Sequence, residues 1–128
     1  MPIPPESPYY HIEPARVLME NEHAIAFLDR YPVSLGHALV IPRQIVDSIY
    51  DLAPDEQAAV YDLVAKVREL LAGRHRPDGF NIGINDGPAA GQTISHAHMH
   101  IIPRYKGDVS DPRGGIRWVI PEKAKYWV

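Results

Sequence analysis

The sequence predicts an α+β domain in which a mainly antiparallel five-stranded sheet carries one long helix, with a second, short helix. Two observations predict it: five short apolar or alternating segments bounded by turn residues, and one apolar stripe at spacings of three and four. A chain of 128 residues fits a single domain. That length removes roughly two-thirds of the unfolded surface from water. Hydrophobic residues at 45% and charged residues at 23% exclude a disordered chain or a coiled coil.

Residues 1–14 hold five of the 13 prolines and read as an extended, loosely held arm. Segments 17–20 and 24–28 are two strands of a hairpin across Glu20-Asn21-Glu22, and 37–41 is a strand that stops at Pro42. A short helix is expected over 45–50. The long helix starts at Pro54, with Asp55 and Glu56 in the first turn where the helix dipole favours negative charge. Val60, Leu63, Val64, Val67, Leu70 and Leu71 form its apolar stripe, and Gly73 is expected to end it. Period-two alternation makes 80–85 a strand, Gly and Pro make 86–91 a loop, and 96–102 is a last strand ending at Pro103. The domain is expected to span 15–105, and an aromatic tail, 106–128, to pack on it or on a partner.

Composition also narrows function. The absence of cysteine excludes disulfides, thiolate catalysis and Cys-ligated zinc. A net charge of −3 and a pI of about 6.1 give no general attraction for nucleic acid. Apolar runs such as Ala38-Leu39-Val40-Ile41 fall far short of the ~20 residues needed to cross a bilayer. With no basic and apolar leader pattern either, the cytoplasm is the expected compartment, with no membrane partner.

The chemistry concentrates in His96-Ala97-His98-Met99-His100. Side chains of a strand alternate, so three imidazoles are expected on one side while Ala97, Met99 and Ile101 pack on the other. One chemistry for such a row is metal binding, but ligands must lie within about 2.1 Å of the ion, while a rise of ~3.3 Å per residue sets His96 and His100 roughly 13 Å apart. The other is nucleophilic attack on phosphorus by one neutral imidazole, with its neighbours holding anionic oxygens or relaying a proton. The preceding loop favours the second: Gly87 and Gly91 permit close backbone approach, and Gln92 and Thr93 add donors.

These residues closely resemble the histidine triad (HIT) superfamily. The resemblance rests on His96-Ala97-His98-Met99-His100-Ile101-Ile102, on Asn85-Asp86-Gly87-Pro88-Ala89-Ala90-Gly91-Gln92-Thr93, and on Phe27-Leu28-Asp29-Arg30-Tyr31-Pro32-Val33 with Gly36-His37-Ala38-Leu39-Val40-Ile41-Pro42. It implies a HIT-like fold whose sheet extends across a homodimer, and a small-molecule nucleotide substrate. By the same resemblance His98 attacks the α-phosphate to give a nucleotidyl-histidine that water opens, with His37, His96 and His100 around the phosphate and the nucleophile. Asn85, Gln92 and Thr93 are implied as phosphate-side contacts, Asp29 as the ribose acceptor, and Phe27 and Ile25 as the base slot. From the residues alone, Asp29 reads as a turn residue and Phe27 as core.

The third histidine, and the segments flanking the row, look most like the fragile-histidine-triad and diadenosine polyphosphate hydrolase branch. The alternatives are a nucleoside phosphoramidase or general nucleotidyl-conjugate hydrolase, and a nucleotide-binding regulator with little turnover. No tightly bound cofactor is expected; a divalent cation such as Mg or Mn can accompany a polyphosphate substrate. A backbone carbonyl accepting from the second nitrogen of His98 would fix the attacking tautomer.

Overall fold

The computed structural model describes residues 2–128; Met1, the first residue of the expected arm, lies outside the described residues. Five strands, β1 (Val17–Glu20), β2 (Ala24–Leu28), β3 (Ala38–Pro42), β4 (Gly79–Ile84) and β5 (Met99–Arg104), form one antiparallel sheet in the order β1-β2-β3-β5-β4. The long helix α1 (Pro54–His75) links β3 to β4, and a short helix α2 (Pro121–Ala124) lies in the tail. The α+β fold expected from the sequence is the one observed.

The α1 stripe of Val60, Leu63, Val64, Val67 and Leu71 packs on the sheet face that carries Ala24, Ala26, Ala38, Val40, Met99 and Ile101. Three alanines on that face leave room for a helix to lie close to the strands. Glu56 accepts the Ala53 N–H at 3.3 Å ahead of the first turn. Gly73 does not end the helix. Arg76 takes the left-handed cap (φ 50°) with its N–H on the Ala72 carbonyl, and Pro77 blocks further turns. The helix expected at 45–50 is instead a single 3-10 turn, Ile49–Asp51, in which the Ser48 hydroxyl accepts from Tyr50 N–H.

The other sheet face is covered by the N-terminal arm, which corrects its reading as a loose tail. Ile25, Phe27, Leu39 and Ile41 form a second apolar cluster with Ile3, Tyr9 and Ile12. Strands that are apolar at every position, as Ala24–Leu28 and Ala38–Pro42 are, need cover on both faces. The helix supplies one cover and the arm supplies the other.

β5 begins at Met99 rather than 96, because the Ala97 N–H leaves the ladder to bond the Val46 carbonyl. It also runs through Pro103 to Arg104. Pairing with β3 ends at Ala38↔Ile101, so Pro103 is flanked by β4 alone and acts as an edge proline.

In the tail, Arg117 donates to the Lys123 and Ala124 carbonyls, and Arg113 lies over the Trp127 ring at 4.4 Å. No helix among the described residues is long and apolar enough to cross a membrane.

Candidate active site

The site forms where the segment leading into β5 crosses the arm-covered face. Ala97, Met99 and Ile101 enter the helix-side core, and the three imidazoles lie on the opposite side. Their environments differ sharply.

His96 is fully buried. Its Nε2–H donates to the Pro42 carbonyl at 2.7 Å, so its Nδ1 is left to accept from the Ser7 hydroxyl. Burial, foremost, lowers its pKa. Both nitrogens are thus used inside the protein, and the imidazole lies behind the cleft. His96 stands beside His98 through its main-chain carbonyl, while its imidazole does not line the cleft. That oxygen accepts from His98 Nδ1–H at 3.0 Å, which puts the proton on Nδ1 and leaves the His98 Nε2 lone pair free.

His100 and His37 form a second unit. The Val33 N–H donates to His37 Nδ1 at 3.1 Å, so His37 carries its proton on Nε2 and donates to His100 Nδ1 at 3.0 Å. The His100 proton is thereby placed on Nε2. Asp29 Oδ2 stands 3.4 Å from His37 Nε2, while Asp29 Oδ1 accepts the Tyr31 N–H. Burial pushes the His100 pKa down to about 4, helped by His98 and His37, and burial also lowers that of His37. Burial thus favours the neutral form of both His37 and His100. Asp29, His37 and His100 bring ligand-type atoms within 4.8 Å of one another. His37 turns a protonated nitrogen toward the other two, which is a hydrogen-bond arrangement rather than a coordination sphere.

A cleft of about 390 Å³ opens over His98 and His100. Phe27, Leu39, Tyr9 and Ile12 form an apolar wall, and Asp29, Asn85 and Thr93 supply polar groups. A larger cavity of about 570 Å³ lies toward β4 and the tail; it shares His100 and Asn85 with the cleft but does not include His98.

Two further expectations are corrected. Gln92 does not line the cleft: its amide donates to the Asp47 and Ile94 carbonyls and accepts the Gly87 N–H, bracing the loop. Ile25 is buried in the cluster with Ile3 instead of lining the base slot. Conversely, Tyr9, Ile12 and Leu39 line the cleft without having been read as site residues, and Ser7 supports it from behind. The signal for them was the apolar face that the helix leaves uncovered.

A five-stranded antiparallel sheet with a histidine row at the mouth of a half-apolar cleft defines an α+β protein built to receive a small ligand. The HIT domain family matches residues 12–107, and the chain belongs to it. An uncharacterized HIT-like protein of Methanocaldococcus jannaschii is 43% identical over 95 residues, 74% of this chain and 73% of that one. The asymmetrical bis(5'-nucleosyl)-tetraphosphatase of Schizosaccharomyces pombe is 39% identical over 97 residues, covering 76% of this chain and 53% of that protein. The crystal structure of the Caenorhabditis elegans NitFhit protein superposes with a TM-score of 0.73 at 34% identity, over 88% of this chain and 26% of that one. Several of the curated relatives are matched over less than two-thirds of their own length, among them the tetraphosphatase.

Proposed function

We propose that the protein hydrolyses dinucleoside polyphosphates, such as diadenosine tri- or tetraphosphate, at the α-phosphate. The observation that carries this reading is the His98 Nδ1–H bond to the His96 carbonyl, which selects the tautomer whose free nitrogen, Nε2, is left for the cleft. In the first step the Nε2 lone pair forms a P–N bond to the α-phosphorus as the bridging P–O bond breaks, and the electron pair leaves with the departing phosphate oxygen. Water then attacks the same phosphorus, the P–N bond breaks, and the lone pair returns to Nε2. Its proton passes to bulk water or to the released phosphate.

The other groups fit this sequence. His100 Nε2–H is a neutral donor for a phosphate oxygen, and its low pKa keeps it so at neutral pH. Thr93 and Asn85 line the same cleft and are assigned to the phosphate, and the Asp29 carboxylate can accept two ribose hydroxyls. Phe27, Leu39, Ile12 and Tyr9 form the slot for the base. A divalent ion travels with the polyphosphate, the chain works as a homodimer, and the cytoplasm is its compartment.

The test mixes excess protein with diadenosine tetraphosphate, quenches within one turnover and measures intact mass. One adenylyl group on the chain, absent in His98→Ala, is the expected result. Tight binding with no product would make the protein a nucleotide-binding regulator. A larger kcat/KM on an adenosine phosphoramidate than on the tetraphosphate would make it a phosphoramidase.

A further inference from the structure

We propose that Ser7 is a positioning residue for His98: its hydroxyl, acting through the imidazole of His96, keeps the attacking histidine in the tautomer whose free nitrogen is Nε2. The inference rests on the reading of His98 Nε2 as the attacking atom, and it deepens that reading by making the proline-rich arm part of the active site.

Ser7 and His96 are both buried, and their hydrogen bond joins residues 89 apart in sequence. The Ser7 hydroxyl is used in both directions. It donates to His96 Nδ1 and accepts the Tyr9 N–H at 3.0 Å. The arm around it is folded rather than draped: Ser7 N–H bonds the Pro4 carbonyl, Tyr10 N–H bonds the Ser7 carbonyl, and Ile3 is inserted among Ile25, Phe27, Leu39 and Ile41. Ser7 therefore cannot slide away without drawing Ile3 out of an apolar cluster.

The His96 imidazole is held by one contact at each nitrogen, Ser7 at Nδ1 and Pro42 at Nε2. Removing the hydroxyl leaves Nδ1 as a buried acceptor without a donor and the Tyr9 N–H without its acceptor. The imidazole then turns to seek a partner and moves the main chain of residue 96. That main chain carries the oxygen which receives the His98 Nδ1–H. Tyr9 transmits the same disturbance by a second route, because its ring stands edge-on to both His96 and His98, at 5.6 and 5.8 Å between centroids. With its acceptor displaced, His98 divides between two tautomers, of which only one presents a lone pair at Nε2.

The experiment uses the full chain, labelled with 15N-histidine and free of nucleotide, and reads each imidazole's tautomer from its long-range 1H–15N pattern. In the wild-type protein His96 is expected with its proton on Nε2 and His98 with its proton on Nδ1. In Ser7→Ala, which keeps the Cβ, His98 is expected to show a mixture, and kcat on diadenosine tetraphosphate to fall about tenfold with KM changed less. Ser7→Thr, which keeps the hydroxyl, is expected to restore both readouts.

A loss of kcat in Ser7→Ala with the His98 tautomer unchanged would reduce Ser7 to a structural residue and overturn the proposal. A proton on His96 Nδ1 in the wild-type spectrum would overturn it too, and that measurement stands even if the alanine variant does not fold. The tautomer readouts need no substrate. A wild-type protein that leaves the tetraphosphate uncut would therefore fail the functional reading alone, while the spectra still decide the role of Ser7.

Discussion

His37 donates its Nε2 proton to Nδ1 of His100 across 3.0 Å, and a third group sets the direction of that bond: the Val33 N–H already occupies His37 Nδ1. A backbone amide thereby determines which nitrogen of His100 carries hydrogen. In His37→Ala that control is lost together with part of the burial that depresses His100. The His100 pKa is expected to rise from about 4 toward its ordinary 6.5. An NMR titration of His100 measures it, and kcat is expected to drop about tenfold.

Acid sensitivity follows from the same imidazoles. His37, His96 and His100 all have pKa values lowered first by burial, so between pH 6.5 and about 4 the unfolded chain binds more protons than the folded one. The stability they contribute is complete above the unfolded value and is lost as pH falls through the folded values. Melting temperature is expected to be flat from pH 8 to 7 and to decline steadily toward pH 4. A flat profile to pH 4 would contradict the burial described for His96.

His98→Ala removes the nitrogen proposed to attack and leaves the other cleft-lining groups assigned to nucleotide binding in place. Turnover is expected to fall by at least about a thousandfold. Calorimetry with AMP should give a dissociation constant within a few-fold of the wild-type value. Equal loss of binding and turnover would mark His98 as a binding residue.

Asp29→Ala deletes the acceptor assigned to the ribose hydroxyls, and about 1–3 kcal/mol of binding is expected to go with it. The effect should appear mainly in KM and be nearly absent with a 2',3'-dideoxy nucleotide, which cannot use the carboxylate. Comparing KM for the two nucleotides in both proteins checks the assignment.

Gly36, immediately before His37, has φ +90°, and a Cβ there would stand 2.7 Å from His75 Cδ2 and 3.3 Å from Pro103. Gly36→Ala is expected to destabilise the fold by about 1–3 kcal/mol through the strained backbone and displacement of His75. Denaturant titration reads that loss directly.

Much of the architecture is legible in the sequence because hydrophobic period and turn chemistry are local. The helix stripe from Val60 to Leu71, the hairpin across Glu20-Asn21-Glu22 and the alternation around His98 all follow from neighbouring residues. What escapes is decided at a distance. Whether Arg76 or Gly73 ends α1 depends on which residue the following Pro77 forces into a cap. Whether His96 faces substrate or interior depends on Ser7, which no pattern near residue 96 reveals. Gln92 has the chemistry of a phosphate donor, but the Asp47 and Ile94 carbonyls claim its amide first. The arm is the instructive miss: its prolines mark it as extended, but the two strands with no polar face already required something to cover them.

The contact between Ser7 and His96 also dictates an order of events in the newborn chain. The arm's apolar bed on β2 and β3 follows it closely in the chain, but the imidazole that Ser7 meets lies beyond α1 and β4. The sheet itself is incomplete until the strand beginning at Met99 slots between β3 and β4. Closing a loop of 89 residues costs entropy that only the finished sheet can offset, so the cleft is the last region to take shape.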